Sequence, residues 1–327
     1  MSDTAPWITY RPELKVLDCT IRDGGLINNH FFTDEVVRAV YDACIEAGID
    51  AMEVGYKNSA KIFSKEEYGP WRHCDEADLN RLFPGHDATQ TGLKLCAMAD
   101  AGKSDFREQI VPCEDSVLDV IRVAFYAHQL PDAIEMIHHC DSLGYETYAN
   151  LMAVSNIKEI EIETVLEGIS KTPAGVMVIV DSFGYLYREQ IDRLYKKYAR
   201  AMADTGKEIG IHAHNNQQLA FANTIEAIIL GANRADSTMA GLGRGAGNCP
   251  TELLIGFLRN PKFHLRPIVK LLQDHILPLR ETVDWGPSIP YNITGQMNMH
   301  PRAAMECRAS DQRDQIVAFY DKIISDI

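Results

Sequence analysis

Eight short apolar runs, separated by stretches with helical periodicity, constrain the fold of this 327-residue chain more than any other feature. Runs of this kind predict buried strands, and the stretches between them predict amphipathic helices. The predicted strands cover residues 15–20, 51–56, 94–99, 117–126, 146–155, 176–184, 208–215 and 234–242. The clearest predicted helices cover residues 33–47, 131–143, 157–171, 188–205 and 216–230.

Eight strand–helix units are the number found in a closed (β/α)8 barrel, or TIM barrel, so the predicted fold class is α/β. An open doubly wound sheet is built from the same units and is the alternative, although the number of strands favours the barrel. We predict a barrel domain over residues 1–265 and a mainly helical C-terminal segment over residues 266–327. Within that segment, residues 290–301 have the composition either of a lid over the barrel mouth or of a surface loop.

Composition and charge argue against several classes of function. The net charge is −14 without any basic cluster, which disfavours nucleic acid and anionic membrane surfaces as partners. No apolar stretch approaches the roughly 18–20 residues of a membrane span, and the first sixteen residues lack a basic and apolar secretory leader. The eight cysteines include no C-x-x-C pair, a pattern typical of reduced thiols in a cytoplasmic protein.

Two histidines stand two residues apart at the end of the seventh predicted strand. Alternate residues of a strand point to the same side, so His212 and His214 are expected to converge. The catalytic groups of a barrel lie at the carboxyl ends of its strands, where the first strand delivers Arg22 and Asp23. Two imidazoles and a carboxylate suit a first-row divalent cation with open positions for substrate. Asn248, after the eighth strand, is a further candidate ligand.

Other polar residues follow the remaining strands. Glu53 is a candidate partner for the arginine or for a ligand histidine. Ser182 is a candidate for binding a substrate carboxylate, and Asp181 is a candidate orienting group, although D-S-x-G also fits a plain turn. Asn150 lies at the end of the fifth strand. The segment GLGRGAGN (241–248) fits either an anion-binding turn or a turn that brings the backbone close to the site.

The motifs LDCTIRDGG (17–25) and HAHNNQQLAFANTIEAIILGANRADSTMAGLGRGAGN (212–248) together resemble the HMG-CoA lyase-like, or DRE-TIM metallolyase, superfamily. This superfamily includes 4-hydroxy-2-oxovalerate aldolases, HMG-CoA lyase, and the isopropylmalate and homocitrate synthases. The resemblance spans about residues 14–260.

The resemblance implies roles for individual residues. Asp23, His212 and His214 would bind Mn²⁺ or Mg²⁺, with Co²⁺ or Zn²⁺ as alternatives. Arg22 would stabilise an enolate oxygen, and Asn248 falls at an asparagine that is a metal ligand in some branches.

Departures from the family pattern bear on the activity. Asp23 is followed by Gly24, and the glutamate of the Claisen-type D-G-E-Q pattern is absent. Residues 240–254 lack the longer cysteine-bearing loop of HMG-CoA lyases, so both features favour the aldolase branch. However, Leu26 replaces the histidine that transfers a proton in oxovalerate aldolases. The catalytic base is therefore open, and the candidates are His30, Tyr126, Tyr291 and His300.

The resemblance implies a metal-dependent carbon–carbon lyase of the 4-hydroxy-2-oxovalerate aldolase kind, acting on a pyruvate-type 2-oxo acid and an aldehyde. We assign His30 and Tyr291, with Arg22, as catalytic candidates, and Arg22, Asn150 and Ser182 as substrate-binding candidates. The alternatives are a Claisen-type acyl-CoA condensing enzyme, an HMG-CoA lyase-like enzyme and a non-catalytic binding barrel. The resemblance also implies a homo-oligomer, and some such aldolases work with a partner dehydrogenase. The exact aldehyde, the direction of reaction and the preferred metal stay open.

Overall fold

The computed structural model describes residues 11–325. Its eight parallel strands pair in chain order and close into a barrel, because β8 pairs with β1. The predicted TIM barrel is therefore confirmed, and the open sheet is excluded. The strands are β1 Lys15–Asp18, β2 Ala51–Tyr56, β3 Lys94–Asp100, β4 Val120–Phe125, β5 Glu146–Leu151, β6 Val176–Asp181, β7 Glu208–Ala213 and β8 Arg234–Ser237.

Helices connect the strands and cover the outside of the barrel. The first long helix shows how local sequence sets their ends: the Thr33 side chain accepts the Val36 N–H, and Gly48 ends the helix at a φ of 73°. The helices are α1 Thr20–Gly24, α2 Asp34–Ala47, α3 Glu76–Leu82, α4 Ala88–Thr91, α5 Phe106–Gln109, α6 Leu130–Ser142, α7 Glu159–Ser170, α8 Arg188–Met202, α9 Ala220–Leu230, α10 Thr251–Leu258, α11 Leu265–Leu271, α12 Ile289–Gln296, α13 Arg302–Ala309 and α14 Ile316–Ser325.

Six predicted strands, β1 and β4–β8, end one to five residues earlier than their apolar runs suggest. β1 stops at Asp18, because the Asp18 carboxylate accepts both the N–H and the hydroxyl of Thr20, at 3.1 and 2.7 Å, and turns the chain into α1. β8 stops at Ser237, and Met239–Gly241 form a short 3-10 turn. The short helices α3, α4 and α5 had no clear periodicity in the sequence. These differences matter because the early stops of β1 and β8 shape the mouth of the barrel.

The C-terminal segment is helical, as predicted, and lies against the mouth of the barrel. Tyr291, Ile293 and Phe319 pack in a small apolar cluster that includes Ala246 of the glycine-rich loop. The Asn292 side chain also donates to the backbone oxygen of Asn216 at 2.6 Å. Helix α11 packs against α2, and the domain boundary at residue 265 stays a prediction.

Two predictions about termini and membranes are limited to part of the chain. Among the described residues, every helix is too short or too polar to cross a bilayer. The prediction that a secretory leader is absent rests partly on residues 1–10, which lie outside the described residues.

Candidate metal centre and active-site cavity

The one-turn helix α1 places Arg22 and Asp23 at the carboxyl end of β1. Both side chains are buried, and the Asp23 N–H donates to the Cys19 carbonyl at 2.8 Å. Asp23 Oδ2 lies 3.5 Å from His212 Nε2 and 4.0 Å from His214 Nε2. The three potential ligand atoms lie within 4.8 Å of one another, so the structure brings the predicted trio together.

Asp236 on β8 orients the first of the two histidines. Its Oδ2 lies 3.0 Å from His212 Nδ1. When Nδ1 carries the proton and donates to this carboxylate, Nε2 keeps its lone pair and faces Asp23. This Nε2 is buried and has no hydrogen-bond partner among the described residues. A carboxylate on the far nitrogen of a histidine is typical of metal ligands. Sequence reasoning missed Asp236, whose only signal was its position on the strand next to H-x-H.

A second group of potential ligands, Cys19, His212 and Asp236, is already occupied by a side chain. The guanidinium of Arg122 forms an ion pair with Asp236 and lies 3.5 Å from Cys19 Sγ. Cys19 and Asp236 do not line the open cavity above the centre, whereas Asp23, His212 and His214 all line it, so only a cation bound by this trio would be accessible to a substrate. The residues therefore fit a divalent ion at Asp23, His212 and His214.

A series of ion pairs and hydrogen bonds, running from Asp23 to His212, holds this centre in place. Arg22 forms an ion pair with Asp23 and donates through Nε to Glu53 at 2.6 Å, so the predicted Arg22–Glu53 contact is present. The Nη1 atom of Arg122 lies 3.0 Å from Glu53 Oε2, and its Nη2 atom forms an ion pair with the carboxylate of Asp236. Charge compensation of this kind is required where side chains are withdrawn from water. In order, the members are Asp23, Arg22, Glu53, Arg122, Asp236 and His212, whose Nε2 faces Asp23 Oδ2 at 3.5 Å without a hydrogen bond.

The charges of Asp23 and His214 match what a divalent cation requires, whereas burial is outweighed by the carboxylates of Asp23 and Asp236, which raise the pKa of His212, so metal binding at this imidazole competes with its protonation. Burial alone would raise the pKa of the Asp23 carboxyl, but Arg22, His214 and His212 outweigh it and hold that pKa well below its usual range. Burial also lowers the pKa of His214 well below its usual range. At neutral pH the aspartate is anionic and this imidazole is neutral, which are the forms that ligate metals.

The glycine-rich loop closes the centre from the β8 side. The backbone N–H of Arg244 donates to Asp23 Oδ1 at 3.1 Å. Asn248 forms an isolated bridge with His214, and its buried Oδ1 has no hydrogen-bond partner among the described residues. A buried amide oxygen without a partner in this loop is a candidate further ligand for a divalent cation. These contacts favour the interpretation of residues 241–248 as a turn that brings backbone close to the site.

Gly243 provides the space for this close approach. A Cβ at this position would lie 2.2 Å from Asn248 Nδ2 and 2.5 Å from Asp23 Oδ1. We expect Gly243→Ala to weaken Mn²⁺ binding about 10- to 100-fold, the loss seen when residues that support ligands are changed. Isothermal titration of the EDTA-treated protein measures this affinity.

Gly256→Ala is the matched control, because a Cβ at Gly256 in α10 would meet nothing within 4 Å. This variant should keep the wild-type Mn²⁺ affinity, and its stability should rise by about 0.5–1 kcal/mol. Equal Mn²⁺ affinities for the two variants would contradict the placement of the glycine-rich loop at the centre.

A cavity of about 330 Å³ lies directly over the centre, within the size range of small-molecule sites. The three predicted substrate-binding residues, Arg22, Asn150 and Ser182, all line it. Asn150 Oδ1 is buried without a hydrogen-bond partner among the described residues. Ser182 Oγ accepts the Ala153 N–H at 2.8 Å, which leaves its hydroxyl proton available to a ligand.

Asp181, in contrast, supports the turn that follows β6. Its carboxylate accepts the backbone N–H groups of Tyr185 and Leu186, at 3.0 and 3.1 Å. Burial raises the pKa of this carboxyl to about 7. Of the two interpretations of D-S-x-G, the plain turn fits these contacts.

The two catalytic candidates His30 and Tyr291 are not among the cavity-lining residues. His30 has a left-handed backbone, with a φ of 62°, and its ring lies against Gly25 and bonds Arg72 through Nε2 at 3.2 Å. Tyr291 is buried in the C-terminal cluster. Because neither side chain lines the cavity, a catalytic role for either one stays a prediction. The other two candidates, Tyr126 and His300, do line the cavity, as does Leu26.

The cysteines are consistent with the predicted reduced state. All eight are free thiols in the structure. Cys249, next to Asn248, is buried, and burial raises the pKa of its thiol to about 12. This thiol is therefore protonated and unreactive at neutral pH.

A closed parallel barrel with a buried Asp/His group at the carboxyl ends of its strands defines a metal-dependent TIM-barrel enzyme. The HMGL-like family model matches residues 13–273. The chain therefore belongs to the HMGL-like family, as the sequence motifs indicated.

Curated relatives and solved structures agree with this family. The chain is 29% identical over 254 residues to the 4-hydroxy-2-oxovalerate aldolase of Pelotomaculum thermopropionicum, covering 78% of this chain and 72% of the relative. It is 30% identical over 253 residues to the oxaloacetate decarboxylase of Mycobacterium tuberculosis, covering 77% and 71%. A crystal structure of the N-terminal domain of a provisionally named aldolase from Bacteroides vulgatus is also similar. It has a TM-score of 0.81 and 28% identity, and the match covers 96% of this chain and 100% of that one.

A more distant structure shows the fold alone. The HMG-CoA lyase of Brucella melitensis is 15% identical, with a TM-score of 0.65, covering 82% of this chain and 99% of that one.

Proposed function

We propose that this chain is a divalent-metal-dependent carbon–carbon lyase of the aldolase kind, which cleaves or forms the bond next to a pyruvate-type 2-oxo acid. The observation that carries the proposal is the convergence of Asp23, His212 and His214 with Arg22 beneath one cavity. The names of two relatives support it, because 4-hydroxy-2-oxovalerate and oxaloacetate are both 2-oxo acids.

Asp23, His212 and His214 would hold Mn²⁺ or Mg²⁺, with Asn248 as a further ligand. The unpartnered atoms His212 Nε2 and Asn248 Oδ1 fit this assignment. A bound divalent cation would supply Lewis-acid polarisation of the 2-oxo acid carbonyl.

Arg22 would stabilise the negative charge that grows on the keto oxygen when the neighbouring bond breaks. Its guanidinium is permanently protonated and lines the cavity. Because the guanidinium already forms ion pairs with Asp23 and Glu53, it needs little reorganisation during the reaction. Asn150 and Ser182 would orient the substrate through their free hydrogen-bonding groups on the cavity wall.

The Claisen-type alternative is disfavoured by the space around α1. Gly25 follows Gly24, and a Cβ at position 25 would lie 2.0 Å from His30 Nδ1. No acidic side chain fits there without displacing the buried histidine. The chain is therefore better suited to the lyase reaction than to acyl-CoA condensation.

Exchange of the methyl protons of pyruvate tests the proposal directly. In D₂O with Mg²⁺, the protein should remove the methyl signal of pyruvate in proton NMR, and EDTA should stop the loss. Metal-dependent exchange would demonstrate deprotonation next to the keto group. A protein that binds Mn²⁺ but exchanges neither pyruvate nor 2-oxobutyrate would refute the lyase proposal and favour a non-catalytic barrel.

A further inference from the structure

The cavity wall carries more positive charge than the proposed reaction uses. Two carboxylates line it, and both are engaged: Asp23 as described above, and Asp100 by Asn58 at 3.2 Å and Lys103 at 3.8 Å. In a chain of net charge −14, such a local excess of cations indicates a site for anions. The cationic side chains that line the cavity are Arg22, Arg72, Lys103, Arg244 and Arg302.

Three of these arginines lack the partners that surface arginines usually find. Within residues 11–325, Arg72, Arg244 and Arg302 have no carboxylate oxygen within 4.0 Å. The buried Nε of Arg244 has no hydrogen-bond partner among residues 11–325. A buried guanidinium N–H without an acceptor is costly. An anionic ligand would remove that cost.

Three of the cations, Lys103, Arg244 and Arg302, share the cavity wall with His300. Burial, followed by the charges of Arg244, Arg302 and Lys103, lowers the pKa of this imidazole to about 4. The ring is therefore neutral at pH 7. Its Nδ1 accepts the Arg302 backbone N–H at 3.1 Å, so the neutral ring keeps its proton on Nε2. Two guanidinium groups, an ammonium group and an imidazole N–H donor therefore line the same cavity.

Arg244 connects this cluster to the metal centre. Its backbone N–H donates to Asp23 Oδ1, while its side-chain charge acts on both His214 and His300. Because both regions line the same cavity, one small molecule can contact both of them. His300 and Arg302 also lie beyond residues 13–273, the part that the family model matches, so this cluster depends on the C-terminal segment.

We propose that the cavity binds a 2-oxo acid that carries a second anionic group, a carboxylate or a phosphate. The second group is held by Lys103, Arg244 and Arg302 together with the Nε2–H of His300. Guanidinium groups suit either anion, because their paired N–H donors match two oxygens. This inference rests on the proposed function for the 2-oxo acid end of the ligand only.

Two five-carbon 2-oxo acids that differ only in the terminal carboxylate test it. Isothermal titration of the Mg²⁺-loaded protein should show 2-oxoglutarate binding about tenfold or more tightly than 2-oxovalerate, as charged hydrogen bonds predict. The phosphonate analogue 4-phosphono-2-oxobutyrate distinguishes the two anions: tighter binding than 2-oxoglutarate indicates a phosphate ligand, and weaker binding indicates a dicarboxylate.

Arg302→Gln and Arg313→Gln form a matched pair, because both arginines are exposed, lie in the C-terminal segment and lack a carboxylate within 4.0 Å among the described residues. Of these two arginines, Arg302 lines the cavity and Arg313 does not. Arg302→Gln should lose most of the preference for the dianion while binding 2-oxovalerate normally, and Arg313→Gln should match the wild type.

The inference would be overturned if the wild type bound 2-oxovalerate and both dianions equally, or if it bound neither dianion. It would also be overturned if Arg302→Gln kept the wild-type preference for the dianions. Binding needs no turnover, so the two proposals fail separately. A dianion preference without pyruvate exchange would refute only the lyase function, and exchange without the preference would refute only the second anion site.

Discussion

The His214→Gln protein is expected to bind Mn²⁺ more than about 100-fold more weakly than the wild type, a loss beyond the range for residues that only support ligands. The reason is that His214 presents a neutral imidazole 4.0 Å from the anionic Asp23, and glutamine replaces this strong ligand with a weaker amide oxygen. Titration of the EDTA-treated protein with Mn²⁺, followed by electron paramagnetic resonance, measures the change. Pyruvate exchange should be lost in parallel.

His86→Gln provides the control for removing a buried histidine. His86 bonds the Tyr41 hydroxyl at 2.9 Å and lies 3.5 Å from Asp119, which precedes β4 at the amino end of the barrel. This variant should lose some thermal stability but keep the wild-type Mn²⁺ affinity. If His214→Gln bound Mn²⁺ as tightly as His86→Gln, the Asp/His group would not be a metal centre.

In contrast to His214→Gln, the Arg22→Gln protein is expected to keep its metal binding and to lose catalysis. Removing one electrostatic donor from a developing oxyanion typically costs about 10²–10³ in rate. Arg22 and the cation compete for Asp23 Oδ2, so the Mn²⁺ affinity should stay equal to that of the wild type or rise. Glu53 keeps Arg122 as a partner at 3.0 Å, which limits the loss of stability.

The rate of methyl exchange at saturating Mg²⁺ measures this effect. Arg22→Lys should recover only part of the rate, because a lysine keeps the charge but lacks the planar fork that contacts Asp23 and Glu53 together. Exchange by Arg22→Gln at nearly the wild-type rate would contradict the role of this arginine.

The convergence of the three candidate metal ligands was predictable because it depends on local geometry and on one rule of the fold. The H-x-H spacing directs His212 and His214 to one side of β7, and the strand order brings β7 and β1 to either side of β8. Asp236, on β8 between them, was missed because its role depends on a contact across strands with His212. Nothing in its own sequence neighbourhood distinguishes it from an ordinary strand residue.

The positions of the proton-transfer candidates relative to the cavity could not be predicted from the sequence. His30 follows the R-D-G-G motif closely, yet two left-handed residues, Asn29 and His30, turn its ring against Gly25 and away from the cavity wall. His300 lies far along the chain, yet the C-terminal helices bring it to that wall beside Arg244. Distance along the sequence was therefore a poor guide to distance in the site.

The sequence by itself determined the barrel, through apolar periodicity and strand alternation, and the family, through the resemblance of two motifs; it also gave the side-chain types of the candidate metal ligands, because all of these are properties of short segments. The tertiary structure alone decided which charges meet: the link from Glu53 through Arg122 to Asp236, and the cations that share the cavity wall with His300. These contacts join residues that are far apart in the chain. Their energies depend on burial and on distances of a few ångströms, which no local pattern in the sequence encodes.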